Sequence, residues 1–167
     1  MTFNELLDHL VKEIENLTKD MYITDSQGEF TELTGYHQSA DSSALLGKKL
    51  ADTEAGMEQQ GETYLPYFVV RLDKVEYRKK EAENANQAHV FVEVSICDSD
   101  SERKGFYTLA SILEKVIGRF QTNSILGPFW CERGMAAIFH KENEFPYCRG
   151  ELEMFWNLPE IGIGDVS

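Results

Sequence analysis

From His89 to Cys97 the chain alternates without interruption. Val90, Val92, Val94 and Ile96 occupy the even positions, and His89, Phe91, Glu93, Ser95 and Cys97 the odd ones. Successive side chains of a β-strand project to opposite faces, so a period of two specifies a strand with one apolar and one mixed face. A sheet containing such a strand is covered on one side and leaves the other to water or a partner. The rest of the chain must therefore supply an amphipathic cover.

Two segments have that character. Phe3, Leu6, Leu7, Leu10, Val11, Ile14 and Leu17 fall on one face at helical spacing, with Asp8, Lys12, Glu13, Glu15 and Asn16 opposite. Thr2 and Glu5 have the spacing of a capping box at its start. A second helix is expected from near Asp100, with an apolar stripe of Phe106, Leu109, Ala110, Leu113, Val116, Ile117 and Phe120 and a stop at Asn123. Ser99 and Glu102 repeat the capping-box spacing, and Asp98 and Asp100 suit the positive end of the helix dipole.

Further strands are expected over Tyr64–Leu72, with Pro66 near its start, over Phe129–His140, with Gly134 marking a bulge, and over Tyr147–Leu158. In the last of these Leu152, Met154, Trp156 and Leu158 share one face, and Glu151, Glu153 and Asn157 the other. Met21–Thr24 and Phe30–Leu33 form a candidate hairpin across Asp25–Gly28. Lys74–Gln87 reads as a polar connection. The expected fold is α+β: a mainly antiparallel sheet with two helices packed on one face. A single domain over 1–161 carries a long loop at about 38–63, where polar residues dominate and aromatics are absent. The tail at 162–167 reads as loose.

At 167 residues the chain is long enough to bury a sizeable core. Its 16 basic and 29 acidic side chains give a formal net charge of -13, which argues against duplex nucleic acid as a partner. The first residues lack the pattern of a signal peptide, and no run of apolar residues approaches a membrane span, so a cytoplasmic protein is expected. Cys97, Cys131 and Cys148 lack CxxC spacing and read as free, buried thiols.

Residues that could carry chemistry point to structure instead. His9, His37, His89 and His140 match no metal-binding spacing. His9 lies among charged neighbours on the first helix, His37 borders the loop, and His89 and His140 stand at strand ends. Asp98–Glu102 starts like a calcium loop, but Arg103 stands where glycine is needed and Leu109 where the bidentate glutamate is needed. Glu151 and Glu153 share a sheet face, as a catalytic carboxylate pair could, without any sign of a pocket. Cys131 and Cys148 could face each other on neighbouring strands. Gly162–Gly164 precedes no helix. The sequence nominates no catalytic, cofactor-binding or metal-ligating residue, and the expected protein is not an enzyme. The mixed sheet face, with Arg71, Glu93, Glu151, Glu153, Phe91 and Phe155, reads either as a solvated surface or as a subunit interface.

Several segments, in order, resemble the tail-terminator or head–tail joining proteins of phages and prophages of Gram-positive bacteria. Tyr64–Leu72 (YLPYFVVRL) is similar to that family's FPYxxVRL strand. Gly105–Leu109 is similar to the start of its helix, entered after Cys97-Asp98-Ser99-Asp100, and Ile125-Leu126-Gly127 to its ILG connection. Phe145–Trp156 (FPYCRGELEMFW) is similar to its closing strand, followed by Leu158-Pro159-Glu160. Leu33–Tyr36 is similar to its first short strand. The likeness covers roughly 64 to 161, and the 38–63 segment is longer than the family pattern.

The resemblance implies a non-enzymatic subunit without cofactor. Such a subunit assembles as a ring, often hexameric, and docks to the tail tube and head connector. It would be found in the host cytoplasm and then in the virion. No site residue transfers, because the shared motifs are core and turn residues. Other readings are a different virion piece (neck, capsid or baseplate) and a small-molecule-binding α+β domain with a deep apolar pocket.

Overall fold

The computed structural model describes residues 3–37, 63–77, 86–97, 105–140 and 147–159. Its elements are α1 (Phe3–Thr18), β1 (Thr34–His37), β2 (Tyr67–Tyr77), β3 (Asn86–Cys97), α2 (Gly105–Thr122), β4 (Ile125–Leu126), β5 (Phe129–Cys131), β6 (Ala136–Phe139) and β7 (Tyr147–Leu158). The strands form one seven-stranded sheet in the order β1-β2-β3-β7-β5-β4, with β6 also paired to β7. Every pairing is antiparallel except β1 with β2. Both helices lie on one face, so the protein is α+β as expected.

The alternation in β3 sets the layer order. Ala88, Val90, Val92, Val94 and Ile96 are all buried toward the helices, together with Phe68 and Val70 of β2 and Leu152, Met154 and Trp156 of β7. The helices bring Leu6, Leu7, Leu10 and Ile14 from α1 and Leu109, Ile112, Leu113, Val116 and Phe120 from α2. Phe120 meets the Trp156 ring edge-on, with centroids 5.0 Å apart. Arg119 ties three elements: Nε donates to Glu13 Oε1 of α1 at 2.7 Å, Nη1 to the carbonyl of Asn123 and Nη2 to that of Ile125 at 3.2 Å. It thereby caps the free carbonyl end of α2 and fastens α2 to α1.

Several elements differ from expectation. The supposed polar connection at 74–87 is strand at both its ends, because β2 runs on to Tyr77 and β3 starts at Asn86; residues 78–85 lie outside the described residues. Cross-strand pairing sustains β structure there despite polar composition. The Met21–Leu33 hairpin shrinks to one bridge, Thr24 with Phe30. Its turn is held by Asp25, whose Oδ1 accepts the N–H groups of Gln27 and Glu29, and Gly28 takes φ 82°. β1 runs parallel to β2, the one parallel pairing among the described strands of a sheet that is mainly antiparallel as expected. The two are joined by a long connection rather than a tight turn, which frees the strand direction.

The Phe129–His140 strand is split in two. Residues 132–135 oppose only Met154 and Phe155, and this irregularity contains Gly134, the expected bulge position. A short β4–β5 hairpin was not expected. Its two-residue turn is Gly127-Pro128, with Gly127 at φ 58°. In α2, Ile112 is buried where Phe106, placed in the stripe by spacing, is 48% exposed. Asn157, expected on the solvated face, is buried, and its Nδ2 donates to Glu132 Oε1 at 2.7 Å. The expected loop at 38–63, apart from Thr63, and the tail at 162–167 lie outside the described residues, as do Thr2, Asp98–Glu102 and Gly162–Gly164.

Candidate functional site

The sheet face away from the helices holds a cluster of polar and aromatic side chains. Its middle rows follow from strand register: Arg71 of β2 lies beside Phe91 of β3, which lies beside Glu153 of β7, and Glu93 lies beside Glu151. Directly opposed glutamates repel, and the Arg71 guanidinium on one flank offsets this, with the His140 ring on the other. Arg71 Nη2 lies 3.8 Å from Glu93 Oε2 and 3.7 Å from Glu151 Oε1, and His140 Nε2 lies 3.3 Å from the same Glu151 oxygen.

A second cluster centres on His89. Its Nδ1 lies 3.1 Å from Asp73 Oδ2, and its Nε2 lies 3.1 Å from Glu153 Oε2. The ring stacks on Phe155 at 4.5 Å with only 3° between planes, and Phe91 lies 4.8 Å away. A register shift between Leu72 and Lys74 leaves Asp73 outside the ladder, where it reaches His89. A neutral imidazole has one N–H and can donate to one of these carboxylates; the imidazolium donates to both.

One end of this face is closed. Tyr67, Val69, Cys97 and Tyr147 form a small buried cluster, packed by Tyr36 and Tyr64. The Cys97 thiol donates to the Tyr64 carbonyl at 2.9 Å. Burial, with a lesser contribution from the Asp25 carboxylate, pushes this thiol up to about 12. Burial likewise pushes Cys131 up to about 12, aided by Glu132, and raises Tyr147 above the ordinary phenol range. All three cysteines are free and buried. Cys131 and Cys148 do not face each other. Cys131 pairs with Trp156, eight residues along β7 from Cys148, or about 27 Å at strand rise.

Beyond this array lies an apolar edge. All four residues of β6, Ala136, Ala137, Ile138 and Phe139, are exposed. Phe139 meets Phe106 of α2 at 5.3 Å, and Phe106 meets Tyr107, which is 71% exposed. Trp130 and Ile125 are also exposed along this side of the sheet. Sequence reading placed these residues inside a Phe129–His140 strand, and only the pairing scheme shows that no described strand pairs with their outer side.

The remaining residues flagged by sequence have structural contacts. His9 meets the Phe129 ring edge-on at 5.9 Å and lies against the Gly127 turn. His37 Nε2 lies 3.1 Å from Asp8 Oδ1, linking the end of β1 to α1. Glu151 and Glu153 do share a face, but each already has a cationic or imidazole neighbour. Among the described residues no three His, Cys, Asp or Glu side chains are placed to hold a metal ion. No described helix is long and apolar enough to cross a membrane. No family model matches the chain, and no curated protein matches it.

Proposed function

We propose that this chain is a non-enzymatic virion assembly subunit of the tail-terminator or head–tail joining kind, working by docking rather than by chemistry. The observation that carries this reading is the one-sided covering of the sheet. Among the described residues both helices sit on one face, the opposite face is ion-paired, aromatic-studded and half-buried, and the apolar edge at Ala136–Phe139 is exposed. Accessible apolar side chains next to charged pairs are what a protein–protein contact requires. The ordered motifs at 64–72, 105–109, 125–127 and 145–156 give the family direction. On this reading the subunit closes into a ring, contacts the tail tube and the head connector, and passes from the host cytoplasm into the virion. A ring needs heterologous contacts that close by rotation, and distinct surfaces on opposite sides of one subunit supply them.

The test is co-sedimentation of the purified protein with tail tubes assembled from the major tail protein encoded beside it, followed by electron microscopy. Saturable binding at tube ends is expected. Binding along the tube wall, or none at any protein or salt concentration, would overturn the reading.

A further inference from the structure

Resting on the docking reading above, we infer that the outer edge of β6, which no described strand pairs, receives an extended, basic segment of a partner protein as an added β-strand. The backbone polarity of β6 is fixed by its pairing. His140 N–H donates to the Arg149 carbonyl at 3.0 Å, and Ala136, Ile138 and His140 share one parity in the register with β7. Antiparallel strands alternate, so these three turn their peptide groups toward β7, and Ala137 and Phe139 turn theirs outward. Outward-facing N–H and C=O groups on an edge are a template for another strand. β6 carries no lysine, proline or other charge to discourage one.

Side chains on both sides of the edge would grip the incoming strand. Ile138, 43% exposed, lies on the outer sheet face; Phe139, with Phe106 and Tyr107, lies on the helix side. Main-chain hydrogen bonds supply affinity in such strand addition, and alternate side chains in flanking apolar patches supply specificity.

Charge and size select the occupant. The chain's net charge of -13 draws in a basic segment. The strip is four residues long, about 14 Å, which suits a linear segment better than the roughly 1,600 Å² contact of two folded subunits.

The probe is an eight-residue peptide alternating lysine and valine, added to the intact protein while amide hydrogen exchange and NMR shifts are read residue by residue. The expected result is slowed exchange at Ala137 and Phe139, with binding at least tenfold weaker at 0.5 M than at 0.05 M salt. A glutamate–valine peptide should give no such protection. Ala137→Pro removes an outward N–H without touching the β7 ladder and should weaken binding at least tenfold; Ile138→Lys should do the same should the proline variant fold poorly.

Protection that grows with protein concentration alone would assign the edge to a second copy and overturn the inference. So would peptide protection at the β1 edge, or no protection anywhere. Tail-tube binding that survives both substitutions would sink the edge while leaving the docking reading intact. Peptide binding without tube binding would sink the reading while leaving the edge.

Discussion

Gly35 shows how a single hydrogen atom can decide a strand pairing. It lies opposite Phe68 in the β1–β2 register, and a Cβ built on it would stand 2.2 Å from the tip of the Phe68 ring. The tip of the ring occupies the space a side chain would take. Gly35→Ala should therefore destabilise the protein by about 2–3 kcal/mol, the usual scale for overpacking a filled site. Urea unfolding would measure it, and adding Phe68→Leu should recover part of the loss if the cause is steric. Arg119 makes the same point for polar groups. Its contacts to Glu13, Asn123 and Ile125 depend on how α1 and α2 approach, which no spacing rule in either helix encodes.

At the scale of elements, β3 and β7 are the frame. Each is twelve residues long, and they pair along their full length. β3 is flanked by β2 and β7, and its helix-facing side chains are all buried. β1 and β6 are four-residue edge strands, and β6 is exposed throughout. Local opening costs less where fewer buried contacts must break. Amides of Val90, Val92 and Met154 should thus exchange only through global unfolding, while those of His37 and Phe139 exchange orders of magnitude faster. Native-state hydrogen exchange as a function of denaturant would check this ranking. Equal protection at the edges and the centre would refute it.

For the whole molecule, buried acids set an alkaline limit on stability. Cys97 and Cys131 are both raised by burial from an ordinary value of 9.0 to about 12 in the folded state. A raised folded value favours the protonated thiol, so the stabilisation is complete below pH 9. It is lost as pH climbs from 9 toward 12, where the unfolded chain has released protons that the folded chain still holds. Tyr147, raised in the same direction, adds to this at higher pH. The urea midpoint should be flat from pH 7 to 8.5 and fall between pH 9 and 10.5, and Cys131→Ala should make that fall shallower. A midpoint unchanged to pH 10.5 would mean that the thiols are open to water.

The local periodicities settled much of this in advance. The period of two in His89–Ile96 and Leu152–Leu158, and the helical spacing of Leu6–Ile14 and Leu109–Phe120, specify which faces are apolar, because burial of those faces dominates folding. Three features were decided only by tertiary structure. The parallel direction of β1 is one, set by a long connection that leaves strand direction free. The His89 cluster is another, since a bulge in β2 and register with β7 bring residues 73, 89, 153 and 155 together. The third is the fate of Ala136–Phe139 and Phe106, whose apolar side chains look like core in isolation. Hydrophobicity is a property of the residue, but burial depends on whether another element arrives to cover it, and at the β6 edge none of the described elements does.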